Sequence, residues 1–261
     1  MSSPWDPKQY TKFKDERAQP FHDLLNLVRP IPGGHAIDLG CGTGELTKIM
    51  HERLGASATL GIDSSSTMLA ESNRLNGPGL SFSYGEIANY RALSGFDVVF
   101  SNAALQWLPD HPKLFPRIAA LVRPGGQLAI QMPDNNDHPS HVIAHAVAAQ
   151  EPFRSALGGY IREWPVMPTA WYAELLDALG FEEQNVHLRV YGHHLESREA
   201  VVEWVKGTLL NDYKQRMPAD LFADYLVAYH DQLMPRLEAR EPYFYAFKRV
   251  LIWGRKAVPA S

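Results

Sequence analysis

Only one cysteine, Cys41, occurs among the 261 residues. An internal disulfide is therefore excluded, and the composition suits a reducing compartment. Charge of one sign is also lacking: 25 Lys and Arg stand against 29 Asp and Glu, for a net charge of -4. The clustered basic excess that nucleic acid or an anionic lipid surface calls for is absent. No run approaches the roughly 20 apolar residues of a membrane span. The opening "MSSPWDPKQYTKFKDER" lacks the apolar core of a signal peptide. Internal repeats and low-complexity tracts are missing too. These shortages lead to the expectation of a cytoplasmic protein with a small-molecule substrate and neither nucleic acid nor membrane as partner. They leave the oligomeric state open.

What is present is an ordinary globular composition, 45% hydrophobic and 21% charged, in a chain long enough for one large domain or a core with a smaller cap. Short β-branched or aromatic runs alternate with helix-length segments, the pattern of a parallel sheet with crossover helices. Strands are expected at His35–Leu39, Ala58–Asp63, Leu80–Tyr84, Phe96–Asn102 and Gln127–Met132, with helices at Glu45–Leu54, Ser65–Arg74 and Lys113–Val122. "RPGGQ" at 123–127 predicts a stop between helix and strand, because Pro124 cannot continue a helix. After Met132 the alternation lapses. "PDNNDHPS" is a loop by composition, "HVIAHAVAAQ" a helix, and helix–glycine–strand order returns around Gly180. Segment 197–240 is mostly helical, and "YFYAFKRVLIWGRK" forms a long last strand. The expected organisation is an N-terminal arm and helix (1–30), a ligand-binding core (31–133), an insertion (134–168), a core helix and strand (169–194), a helical insertion (195–242) and a closing strand with its tail (243–261). Insertions after strand C-termini are where open α/β folds place ligand-covering parts.

The stretch "HAIDLGCGTGELT" sets three glycines two apart, at 40, 42 and 44, between a strand and a helix. Backbone amides in such a turn can face a ligand, and a turn without side chains lets it approach. The third glycine comes too early for the dinucleotide fingerprint, and no Gly-Lys-Ser/Thr follows to make a phosphate loop. Asp38, at the end of the strand, is awkward beside a pyrophosphate and useful beside an ammonium. Asp63, nineteen residues past Gly44 at the end of the second strand, is placed to accept both hydroxyls of a ribose. An unphosphorylated ribose together with a charged amino acid points to S-adenosylmethionine.

With "DLGCGTGELT", "GIDSSSTML", "FDVVFSNAALQWLPD" and "LVRPGGQLAIQMPDN" in this order, the sequence resembles the class I S-adenosylmethionine-dependent methyltransferases. "SNAALQWLPDH" followed by "QMPDN", with the arm "WDPKQYTKF…R", is similar more narrowly to the trans-aconitate methyltransferase family. The resemblance covers nearly the whole chain and is strong through about residue 140. It implies a doubly wound, Rossmann-like, mostly parallel seven-stranded sheet with an antiparallel last strand and helical lid insertions. It also implies S-adenosylmethionine as methyl donor, S-adenosylhomocysteine as product and a small carboxylic acid as acceptor. Carried onto this chain, it puts Asp38, Gly40 and Gly42 around the methionine part of the donor. Asp63 takes the ribose with Ser64 and Ser65 beside it, Glu86 and Ile87 flank adenine, and Asn102 and Ala103 lie beside the reacting methyl. Trp5, Tyr10 and Arg17 belong to the arm over the cofactor. One departure bears on the acceptor: in "GTLLNDYK", Asn211 falls where the resemblance leads one to expect an arginine, while Tyr213 is retained.

Methyl transfer is an in-line displacement that alignment accelerates by about 7–11 kcal/mol. A carboxylate with a pKa of about 4 is already ionised at neutral pH and needs no general base. The sequence offers no compelling catalytic residue, with His141 the one basic side chain worth weighing. His138, His141 and His145 sit three and four apart, with no carboxylate or cysteine completing a metal site, so no metal is expected. Candidate acceptor-binding groups are Trp107, His141, Tyr213, Tyr243 and Arg249. Arg154, Arg162, Lys206, Lys214 and Arg216 are further cations available to a polycarboxylate. An O-methyltransferase for a natural product or a carrier-linked acid, and a non-catalytic S-adenosylmethionine-binding module, are the alternatives.

Overall fold

Seven strands build one sheet in the order β3-β2-β1-β4-β5-β7-β6, in a computed structural model that describes residues 14–258. The first four strands, β1 (His35–Leu39), β2 (Ala58–Asp63), β3 (Leu80–Tyr84) and β4 (Phe96–Asn102), match the expected bounds. Their pairings with one another, and that of β4 with β5 (Val122–Pro133), are parallel. β7 (Tyr243–Lys256) runs antiparallel to β5, and β6 (Phe181–Leu195) forms the edge beyond it. The strands of a sheet covered on both faces are apolar throughout, and Val98, Val99, Phe100, Leu128, Ala129 and Ile130 are fully buried.

The connections are helical. Helix α1 (Lys14–Leu27) precedes β1 and sets Phe21 edge-on against Phe100 of β4 at 5.5 Å. Helix α2 (Glu45–Leu54) keeps its expected limits and buries Thr47, Met50 and Leu54, spaced three and four apart as one helical face requires. Helix α3 (Ser66–Ser72) starts on Ser65, whose hydroxyl accepts the Met68 amide at 3.4 Å. A 3-10 turn (Asn73–Leu75) completes it, so the expected helix at 65–74 divides in two.

Two boundaries differ from expectation. Helix α4 (His111–Ala119) begins and ends earlier than 113–122, and β5 starts at Val122 rather than Gln127. "RPGG" lies inside the strand because Val122 already pairs with Phe96, and the register shifts between Phe96 and Val98. The glycines here serve an irregularity of the strand instead of a turn before it. Helix α5 (Pro139–Ala148), a short α6 (Phe153–Ala156), α7 (Thr169–Ala178), α8 (Ala200–Lys206), α9 (Leu209–Lys214) and α10 (Ala219–Leu233) complete the described helices. None of the described helices is long and apolar enough to cross a membrane.

The chain divides into two compact units. One contains Ala18–Asp134, Pro165–Arg189 and β7 from Arg249 onward; the other contains Asn135–Trp164 and Val190–Lys248. The first is the α/β layer. The second is a helical core of its own, dense in aromatics. Tyr213, Tyr225, Tyr229 and Tyr245 are fully buried there among Val147, Val201, Leu210 and Leu233. Its tyrosine hydroxyls find partners, as buried polar groups must: Tyr225 donates to the Ala144 carbonyl at 2.8 Å and Tyr229 to the Ser140 carbonyl at 2.9 Å.

Candidate functional site

Beyond β1 the chain turns sharply at Gly40, whose amide donates to the Ile62 carbonyl at 2.8 Å, with the Cys41 amide sharing that acceptor at 3.0 Å. Gly40 has φ +84, and a Cβ there would stand 2.4 Å from the Ala104 Cβ and 3.6 Å from Ile87 Cδ1. The missing side chain lets the segment after β4 and the segment after β3 close on the loop. Gly42 has φ +56 and a different reason to be glycine, since a Cβ there would meet nothing within 4 Å. No neighbour in the unit requires its absence, and the space above it is open beside Asp63.

Asp63 is gripped by two backbone amides. Gly42 N–H donates to Oδ2 at 2.9 Å and Ser65 N–H to Oδ1 at 2.8 Å. A carboxylate has about four acceptor positions, so each oxygen keeps one for a hydroxyl of a bound ligand. Asp38, one strand over, is only 4% exposed and accepts the Thr47 hydroxyl at 2.6 Å. Burial pushes its carboxyl up to about 7, against the pull of the Thr47 bond, and the nearby Asp63 charge adds to the rise. Cys41 is buried in the same corner, and burial with the Asp38 and Asp63 charges pushes its thiol far up. It is an inert thiol.

The end of β4 forms the other wall. Asn102 and Ala103 are partly exposed, and Ala103 adopts φ 54, an uncommon conformation for a residue with a side chain. The turn is held by the Ala103 amide, which donates to the Gln131 carbonyl at 2.9 Å, and by Gln106 Nε2, which donates to the Ala103 carbonyl at 2.7 Å. Glu86 is exposed and accepts from Asn89 Nδ2 at 3.0 Å and from the Tyr84 hydroxyl at 3.3 Å. Ser64 is exposed next to Asp63. The structure thus brings Asp38, Gly40, Gly42, Asp63, Ser64, Ile87, Asn102 and Ala103 to the C-terminal side of β1, β2 and β4, the side on which open α/β sheets bind ligands. Trp5 and Tyr10 lie outside the described residues, as does the side chain of Arg17.

The residues expected to meet the acceptor separate between the two units. Arg249, on β7 opposite Pro133, is a buried cation of the α/β unit at 6% exposure. Trp107, at 36% exposure, ends the 3-10 turn Leu105–Trp107 that follows β4. In the helical unit, His141 meets Ser140 Oγ at 3.1 Å and Trp164 edge-on at 5.9 Å. Burial, aided by the neighbouring His138, His145 and Arg162, brings its imidazole down to about 3. That ring is neutral near pH 7 and a weak base. Tyr213 is fully buried, its hydroxyl 2.7 Å from His145 Nδ1, and burial pushes it up to about 12. Tyr243 is buried in the same core. Asn211 lies on α9. Two cations are engaged locally: Lys206 with Glu203 at 2.5 Å, and Arg216 with Asp212 at 3.1 Å and over the Tyr160 ring at 3.8 Å. Lys214 and Arg154 are exposed, and Arg162 is half-buried.

Three site residues escaped the reading of the sequence. Thr47 carried a signal, a polar residue at a core-facing position of α2. Gln106 and Gln131 carried none, since glutamine in a short turn or a strand has no positional signature.

A strand ending in an acid, a glycine turn open above Gly42 and a second acid bound by that turn meet at one end of the sheet. Residues 36–126 match the family model of a methyltransferase domain. Solved structures share the fold. One is the YcgJ protein of Bacillus subtilis, 14% identical, with a TM-score of 0.61 over 92% of this chain and 99% of that one. Another is the phosphoethanolamine N-methyltransferase 2 of Haemonchus contortus in complex with S-adenosyl-L-methionine, 17% identical, with a TM-score of 0.55 over 98% of this chain and 60% of that one. Fold and site define a class I S-adenosylmethionine-dependent methyltransferase. Within that class the chain belongs to the trans-aconitate 2-methyltransferase family. It is 43% identical to the trans-aconitate 2-methyltransferase of Deinococcus radiodurans over 254 residues, 95% of this chain and 96% of that protein. It is 39% identical to that of Variovorax paradoxus over 259 residues, 97% and 98% of the two.

Proposed function

We propose that the protein esterifies one carboxylate of trans-aconitate with the methyl group of S-adenosylmethionine, releasing S-adenosylhomocysteine. The observation that carries the acceptor is the identity of about 40% with trans-aconitate 2-methyltransferases over nearly the full length of both chains. The setting proposed is the cytoplasm, with a free small molecule as the partner. The donor supplies an electrophilic methyl on a sulfonium; this chain has to bind, align and desolvate. Asp63 receives the two ribose hydroxyls on the positions its backbone bonds leave open. Asp38 faces the ammonium, Gly42 leaves room for the methionine part, Glu86 and Ile87 flank the adenine, and Asn102 and Ala103 border the transferred methyl. Trp5, Tyr10 and Arg17 are assigned to the arm over the cofactor. Arg249 supplies a buried cation for the acid, and Trp107, at the end of the turn after β4, is the other acceptor-side assignment within the α/β unit. No general base is invoked. A carboxylate acceptor is already ionised, and the neutral, weakly basic His141 suits hydrogen bonding better than proton abstraction.

Incubation with labelled S-adenosylmethionine and trans-aconitate, cis-aconitate, citrate or isocitrate, followed by mass analysis, tests this. The expected result is an alkali-labile monomethyl ester formed fastest from trans-aconitate. A base-stable product identifies a hydroxyl acceptor instead, and donor binding with no acceptor turned over in any mixture supports the non-catalytic alternative.

Asp38 gives a pH signature. Its folded pKa is raised, so the stability it contributes to the ligand-free protein is present below the ordinary carboxylate range and lost as pH rises through about 7. Binding an ammonium requires the ionised form and reverses the preference. Affinity for S-adenosylmethionine is therefore expected to be about tenfold weaker near pH 6 than near pH 7.5, measured by titration calorimetry. Asp38→Asn binds weakly with a flattened profile, and a flat profile in the unmodified protein removes Asp38 from the ammonium.

A further inference from the structure

We propose that Gln131 is a specificity-determining residue that donates an amide N–H to a carboxylate of the acceptor acid. The inference rests on the reading of the acceptor as a carboxylic acid.

Gln131 is fully buried, yet neither its Nε2 nor its Oε1 has a hydrogen-bond partner. Leaving a primary amide in that state is costly, and native structures seldom do so without a reason. A second glutamine of the same strand serves as an internal control. Gln127 lies four residues earlier on the same face of β5, because side chains two apart share a face. It is nearly as buried, and both of its amide atoms are used. Oε1 accepts Arg29 N–H at 2.8 Å and Trp253 Nε1–H at 3.1 Å, and Nε2 donates to the Arg29 carbonyl at 3.0 Å. Burial in this sheet is thus compatible with full satisfaction, and the difference between the two glutamines is position. Gln127 is at the N-terminal part of the strand, where the chain after α1 closes over it. Gln131 is at the C-terminal part, where doubly wound sheets open to ligands.

The neighbours of Gln131 suit an acid. Across the register on one side is Asn102, the last residue of β4, whose Oδ1 is also buried without a partner. On the other side Pro133 pairs with Arg249. Arg249 therefore shares the face of Gln131 as a diagonal neighbour, at a backbone separation of about 7–8 Å that long side chains bridge. An amide donor and a buried guanidinium on one face, beside the residue assigned to the methyl, form a place for a carboxylate. The guanidinium supplies charge and the amide supplies direction. A carboxylate can only accept, so it takes the Nε2–H, and the neutral amide adds no competing negative charge. Because Gln131 precedes Met132 on the strand rather than lying in a loop, its backbone is fixed by β4 and β7 on both sides, which suits a residue that selects among similar acids.

The test uses two variants of nearly the same shape. Gln131→Met removes the hydrogen bonds. The expected results are a melting temperature held or raised, because no buried polar atom is left behind, and a fall of about 10–100-fold in kcat/KM for trans-aconitate, carried mainly by KM. The Kd for S-adenosylmethionine stays within a factor of about three. Gln131→Glu sets a negative charge against the acid, and is expected to lose more activity than Gln131→Met. A lowered melting temperature with an unchanged acceptor KM makes Gln131 structural and overturns the proposal. A rise in the donor Kd equal to the rise in acceptor KM assigns it to the donor and overturns it as well. An unmodified protein that turns over none of the four acids overturns the acceptor reading itself and this inference with it, an outcome distinct from an active protein indifferent to substitution at Gln131.

Discussion

Replacing Asp63 with alanine is expected to weaken S-adenosylmethionine binding by about a hundredfold to ten-thousandfold. The carboxylate is held through both oxygens by backbone amides, Gly42 N–H at 2.9 Å and Ser65 N–H at 2.8 Å. Its remaining acceptor positions are assigned to two ribose hydroxyls, and hydrogen bonds to a charged group contribute about 1.5–3 kcal/mol each. The substitution also leaves the Gly42 amide without its acceptor, so the loop loses the strut that fixes it under the ligand. Helix α3 keeps its own cap, because Ser65 Oγ still accepts from Met68. The fold is therefore expected to survive while the rise in melting temperature that ligand linkage gives the unmodified protein disappears. Calorimetric titration provides the Kd, and an unchanged value takes Asp63 out of the ribose role. Asp63→Asn, with one carbonyl oxygen in place of two carboxylate oxygens, is expected to fall between.

The second large effect separates two glycines that look alike in the sequence. Gly40→Ala brings a Cβ to 2.4 Å from that of Ala104 at φ +84. Left-handed backbone and overpacking together cost about 2–5 kcal/mol, which lowers the melting temperature by about 4–20 °C in a protein of this size. Gly42→Ala meets only the backbone term, about 1–2 kcal/mol, because nothing lies within 4 Å of the new methyl. Its melting temperature is expected to drop by about 2–8 °C, while donor affinity falls steeply, since the methyl enters the space the ligand is assigned. Scanning calorimetry beside a binding titration on both variants checks this. Equal melting temperatures would mean that the loop relaxes freely at Gly40, and retained affinity in Gly42→Ala would move the donor off the loop.

Much of the α/β layer is legible in the sequence. The strands β1 to β4 and helix α2 are delimited by local signals, namely β-branched runs, helical spacing of apolar residues and glycines at the turns. The same locality explains the miss at β5. A Pro-Gly-Gly sequence reads as a stop, but Val122 pairs with Phe96, far back in the chain, and carries the strand through it. Helix α4 ended early for the same reason, since its last turn gave way to that pairing.

The site divides along the same line. By itself the sequence determined the class of ligand. Glycine spacing and two acids at strand ends depend only on chain chirality and charge, and both are local properties. Tertiary structure alone decided which polar groups are used. Packing pairs Asp38 with Thr47 and raises its pKa, buries Tyr213 and Tyr243 in an aromatic core, and engages Lys206 and Arg216 with their own neighbours. Two glutamines four residues apart on one strand are distinguished in the same way, one satisfied by the chain and one not. The physical reason is that a hydrogen bond costs or stabilises according to what lies on its other side. In a folded chain that partner comes from segments far apart in sequence, which no local pattern records.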